Sequence, residues 1–248
     1  MPGGYLMLTR YPGVLPVVGF LWLELLPLTA YLYFVIGLQA LLYPFLHIVF
    51  LGLYELGYVF NDRAQTASER PRRARYAMAG ELFWCALLLR VLLFVIVTVL
   101  VDQYIGLIEA LSFAISSLVI VALLLVHTSL GELREPLSRL RLISFAWLAL
   151  SKYGPAALAL VPMGVVLPAL VWIFLVYGAG RVVDYTVNKV SPLDTDIPDL
   201  NGLWYVAALP SGAFMCFYLD NPMAGLAILG IFGAYYAVSL LKRVWGRL

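Results

Sequence analysis

The chain has 248 residues, of which 63% are apolar and 12% charged, with a formal net charge of +2. A soluble domain carries about 25% charged residues and has to cover its surface with them, so a soluble enzyme is excluded. Disorder is excluded by the hydrophobicity, and a nucleic-acid binder by the weak positive charge. An integral membrane protein remains, and in such a chain every charge that sits in lipid is costly and therefore informative.

A helix needs ~20 mostly apolar residues to cross a bilayer. Runs of that kind, cut at proline, glycine and polar clusters, predict eight spans: about 12–28, 30–60, 78–101, 104–127, 141–160, 162–182, 201–218 and 222–242. Pro27 and Thr29 are read as the turn between the first two. Asp102-Gln103 separates the third from the fourth, Pro162 the fifth from the sixth, and Asp220-Asn221-Pro222 the last pair. The expectation is one all-α integral-membrane domain over 1–248. Cys85 and Cys216 lie in apolar runs without metal-type spacing and read as small buried hydrophobes.

Fourteen of the 16 Lys and Arg residues fall on one side of this topology. Arg10 precedes the first span; Arg63, Arg70, Arg72, Arg73 and Arg75 follow the second; Arg134, Arg139 and Arg141 follow the fourth. Arg181 and Lys189 follow the sixth, and Lys242, Arg243 and Arg247 the eighth. Lys/Arg excess marks the cytoplasmic face, so both termini are expected inside. The compact chain without a targeting extension points to a bacterial inner membrane. Arg90 and Lys152 lie within spans, as do Glu24 and Glu109; such groups are expected to pair inward, with no partner assignment readable from sequence. His47 reads as a buried hydrogen-bonding residue. His127 ends the fourth span. Asp194, Asp196 and Asp199 sit with Pro192 and Pro198 in an exposed loop.

Two polar clusters end the second and sixth spans. In the first, Tyr58, Asp62, Gln65 and Glu69 follow Glu55 at helical spacing, so a polar stripe runs from inside the membrane to the cytoplasmic loop, where arginines follow. In the second, Tyr177, Arg181, Asp184 and Asn188 recur at 0, +4, +7 and +11, again on one face. Carboxylates and amides with water are ligands of Mg²⁺, which bridges protein oxygens to phosphates, and Arg and Lys take the remaining phosphate oxygens. A diphosphate held in this way leaves readily because its developing charge is neutralised, and tyrosine rings beside it favour a carbocation.

Asn61-Asp62-x-x-Gln65-x-x-x-Glu69 resembles the first signature of the UbiA-type intramembrane prenyltransferases, N-D-x-x-D-x-x-x-D, at that family's position after the second helix. The cluster of Arg181, Asp184 and Asn188 resembles the family's second Asp-rich motif. The resemblance implies a helical bundle whose central cavity has its polar site at the cytoplasmic face. It also implies transfer of a prenyl group from a Mg²⁺-bound prenyl diphosphate, an isoprenoid substrate, to an acceptor. Asp62, Glu69 and Asp184 would hold the metal, with Asp62, Asp184, Tyr58 and Tyr177 at the reacting centre. Asn61, Gln65, Arg73, Arg181, Asn188 and Lys189 would bind substrate. Gln65 and Asn188 stand where carboxylates are usual, Glu69 where Asp is, and eight spans are counted where the family usually has nine. These departures imply weaker Mg²⁺ binding or a shifted donor. Phosphoribosyl diphosphate, transferred to a polyprenyl phosphate by a branch of this superfamily, is the alternative donor, and the arginine run suits two anionic substrates. A non-enzymatic isoprenoid-lipid binding or transport protein is the alternative class.

Overall fold

The structure, a computed structural model, describes residues 21–65, 80–130, 140–186 and 221–245. Every regular element among them is helical. In chain order these are α1 (Leu26–Ile36), α2 (Tyr43–Gln65), α3 (Gly80–Tyr104), α4 (Leu107–Leu130), α5 (Leu140–Ser151), α6 (Gly154–Leu158), α7 (Val166–Ile173), α8 (Ala179–Tyr185) and α9 (Pro222–Trp245). Four segments are long and apolar enough to cross a membrane: Leu26–Gly57, Trp84–Tyr104, Leu107–Leu130 and Met163–Val183. The expected span at 201–218 and most of the one at 12–28 lie outside the described residues.

The breaks between helices follow local backbone chemistry. Pro27 does not make a turn. It sits in the first turn of α1, where its missing N–H costs least, and a π turn over Leu21–Leu25 leads directly into that helix. Thr29 Oγ1 donates back to the Leu25 carbonyl at 2.7 Å. The chain breaks instead at Gly37, whose φ of 67° suits a residue without Cβ, and continues as a 3-10 turn over Gly37–Leu42. Asp102 and Gln103 likewise belong to the last turn of α3. The turn comes at Ile105–Gly106, where both amides return to the Val101 carbonyl at 2.9 and 3.0 Å in a glycine-terminated cap. Pro162 divides the fifth and sixth segments as expected, with extended backbone at ψ 144°. The fifth segment is itself broken, because α5 stops at Ser151 and α6 restarts at Gly154 with Pro155 in its first turn. Asn221-Pro222 starts α9: Asn221 Oδ1 accepts from the Ala224 amide at 3.2 Å, and proline takes the first helical position.

The chain divides into two compact units, one drawn from Leu42–Leu160 and the other from Val18–Leu41 with Val161–Leu248. In the first, α4 packs against α2, α3, α5 and α6. Its buried residues Ala110, Phe113, Ser117, Ile120, Leu124 and Thr128 recur at helical spacing, with small residues admitting close neighbours. Gly57 of α2 meets Leu124 so closely that a Cβ there would run into the leucine side chain. Leu88, Leu92, Val95 and Val99 form an exposed stripe on α3, and Leu111, Ile115, Leu118 and Leu125 another on α4. Apolar stripes of this length are compatible with lipid contact and unlike the surface of a soluble monomer. In the second unit α1 packs against α9. Trp22 Nε1 donates to the Ile231 carbonyl at 2.9 Å, and Asn221 Nδ2 donates to the Phe34 carbonyl at 3.2 Å. Tyr31 stacks on Trp172 with ring centroids 4.9 Å apart.

Candidate functional site

The first motif stands on an unbroken helix. α2 runs from Tyr43 through Gln65, so positions 58, 62 and 65 follow Glu55 in α-helical register as the spacing predicts. At Tyr58, Asn61, Asp62 and Gln65 the description covers the backbone, and Glu69 and Arg73 lie outside it. Asp62 stands about 10 Å further along the axis than Glu55, at 1.5 Å per residue.

Glu55 itself is not a free member of the stripe. Arg90 of α3 donates to its Oε2 through Nη2 at 2.7 Å, with the side chains 6% and 0% exposed. A lone carboxylate or guanidinium at this depth would be too costly to keep charged, and pairing offsets much of that cost. This answers which acid meets Arg90, a pairing over 35 residues of sequence. The polar face of α2 also continues toward its N-terminus. His47 is fully buried with its ring between those of Tyr43 and Tyr153, at centroid distances of 5.4 and 5.5 Å. Lys152 is buried too, with Nζ 5.3 Å from the Tyr153 ring centre. Lys152 follows the last turn of α5, where the helix dipole favours a cation. His127 shares a hydrogen bond with Ser144 Oγ at 2.8 Å and so ties α4 to α5. Glu109 lies in the first turn of α4, beside the positive end of the helix dipole rather than deep in the bundle.

The second motif begins in an unusual helix. A π turn over Phe174–Gly178 joins α7 to α8, and the Ala179 amide bonds back to the Phe174 carbonyl. Tyr177 lies within that turn, 3% exposed, with its ring edge-on to Trp172 at 5.6 Å. Arg181 is four residues further on. Its Nη2 donates to Glu24 Oε1 at 2.6 Å, and its side chain keeps 33% exposure against 6% for Glu24. Asp184 lies on α8 with its backbone described; Asn188 and Lys189, like Asp194, Asp196 and Asp199, lie outside the described residues. Charge economy names Glu24 and Arg90 as groups needing partners. The Glu24–Arg181 pair spans 157 residues, and no local spacing could have shown it.

Among the described residues, no three His, Cys, Asp or Glu side chains gather to hold a metal ion. The buried carboxylates that are described, Glu24 and Glu55, each face an arginine. They do not fit a Mg²⁺ site; of the three carboxylates that the sequence resemblance implies for one, Asp62 and Asp184 are described at the backbone and Glu69 lies outside the described residues. Compared with protein-family models, characterised proteins and solved structures, the chain matches none.

Proposed function

We propose that this is an integral membrane transferase of the UbiA type, an all-α bundle of about eight spans in a bacterial inner membrane with both termini cytoplasmic. It moves a prenyl group from a prenyl diphosphate to an acceptor. The observation that carries the reading is the motif Asn61-Asp62-x-x-Gln65-x-x-x-Glu69, the first part of which ends a continuous helix with an acid–arginine pair buried above it. Asp62, Glu69 and Asp184 are the residues that would hold Mg²⁺, which when bound would offset the charge on a departing diphosphate. Arg181, Arg73 and Lys189 bind phosphate oxygens, and Asn61, Gln65 and Asn188 add amide contacts to the same group. Tyr58 and Tyr177 flank the reacting carbon and favour its positive charge through their ring faces. The apolar helices surround the isoprenoid tail and keep water from the centre.

Phosphoribosyl diphosphate is the second donor to consider, favoured by the five arginines between residues 63 and 75. A transfer assay in membranes with both labelled donors, with and without Mg²⁺, tests the reading. Labelled lipid product from prenyl diphosphate alone, dependent on Mg²⁺, is the expected result. Product from phosphoribosyl diphosphate alone changes the donor, and no product from either with acceptor extracts present refutes the transferase.

A further inference from the structure

Two acid–arginine pairs lie in the described residues, and their surroundings differ. Glu55 and Arg90 sit in regular α-helix and are closed off on all sides. Glu24 lies within the π turn Leu21–Leu25, and Arg181 follows the π turn Phe174–Gly178. A π turn carries i→i+5 bonds in place of the α pattern; it is rare, and such turns are frequently found at functional sites. Here one lies on each side of a single ion pair. Glu24 is 4% exposed, whereas about a third of the Arg181 side chain is open.

Burial of the acid with partial exposure of the arginine has a chemical meaning. A guanidinium carries five N–H donors in a rigid plane, so one edge can be fixed by a carboxylate while another meets an anion. A flexible arginine would lose side-chain freedom on binding; one already held by Glu24 loses less. Glu24 also sets the direction of the plane, which decides whether a phosphate can be met by two donors at once.

We propose that Glu24 is a positioning residue: it holds Arg181, whose side chain is one-third exposed, in the orientation in which its guanidinium binds a phosphate group of the donor. This rests on the reading of the second motif as a diphosphate site. Glu24 touches no substrate in this account and acts through Arg181 alone.

The test is binding of inorganic pyrophosphate, with Mg²⁺, to the full chain in lipid nanodiscs, read by calorimetry beside a thermal unfolding curve for each variant. The wild type binds. Arg181→Lys, which lacks the planar fork, binds more weakly, and Glu24→Gln raises the Kd by about tenfold through loss of a charge-assisted hydrogen bond. Glu24→Asp keeps the charge but draws the guanidinium back, and falls between wild type and Glu24→Gln. If Glu24→Gln does not fold, a raised Kd in Glu24→Asp decides the matter. A lowered unfolding temperature with an unchanged Kd in the folded variants means that the pair is only structural and overturns the positioning role while sparing the diphosphate reading. Absence of pyrophosphate binding by the wild type overturns both.

Discussion

The pairs Glu55–Arg90 and Glu24–Arg181 show how one contact serves different ends in different surroundings. Both are short, at 2.7 and 2.6 Å, and both place a carboxylate almost out of reach of solvent. In the first the arginine is hidden as well, 6% exposed, so both charges are withdrawn from solvent. In the second the arginine stays one-third open, and both helices leave α geometry beside it. A sealed pair contributes through the penalty of breaking it. An open pair can pass its order on to a third group. Distance alone would have ranked the two as equals; burial and backbone geometry separate them.

The largest effect expected from this contrast is on stability at the sealed pair. Glu55→Gln leaves Arg90 buried and uncompensated, and costs about 3–5 kcal/mol. Replacing both partners with leucine removes both charges and restores most of that loss, as thermal unfolding in detergent would show. A double variant as unstable as Glu55→Gln would mean that the pair does more than neutralise itself. Gly57→Ala comes next. Gly57 lies two residues beyond Glu55, and its new Cβ would collide with Leu124, for a loss of about 1–3 kcal/mol by overpacking. The same unfolding measurement made in a Leu124→Ala background should show a smaller penalty, because the two sites are in contact. Smallest is Asn221→Ala in the unit that holds Glu24 and Arg181. It removes the cap on α9 and the bond to the Phe34 carbonyl, and costs about 1 kcal/mol. A larger loss would show that this unit depends on one cap far more than its other contacts imply.

Much of the helical architecture is legible in the sequence because its cause is local. Hydrophobic length marks Trp84–Tyr104, Leu107–Leu130 and Met163–Val183 near the expected positions, and Pro162 and Asn221-Pro222 act as read. Pro27 does not by itself locate a turn, because proline is tolerated in a first helical turn, and a lone glycine such as Gly37 in an apolar run carries no sign of its φ. The break at Lys152–Tyr153 is a different case: Ser151-Lys152 and Gly154-Pro155 mark it in the sequence, but the apolar runs on either side read together as one span. The stripe on α2 follows from spacing, which a continuous helix preserves through Gln65. Partner choice is another matter. Arg90 could be known to need an acid, yet Glu55 was distinguished from Glu24 and Glu109 only by how α2 and α3 pack.

The central claim places the chemistry at the helix-end motifs rather than at the sealed pair. It is tested most directly by comparing lipid-linked label transfer in two purified variants, Asp62→Asn and the Glu55→Leu/Arg90→Leu double. The account predicts that Asp62→Asn loses about 10²–10³ in rate, the scale of one removed electrostatic stabiliser, while the folded double variant keeps its activity. Full activity in Asp62→Asn, or loss in the folded double variant alone, would contradict it.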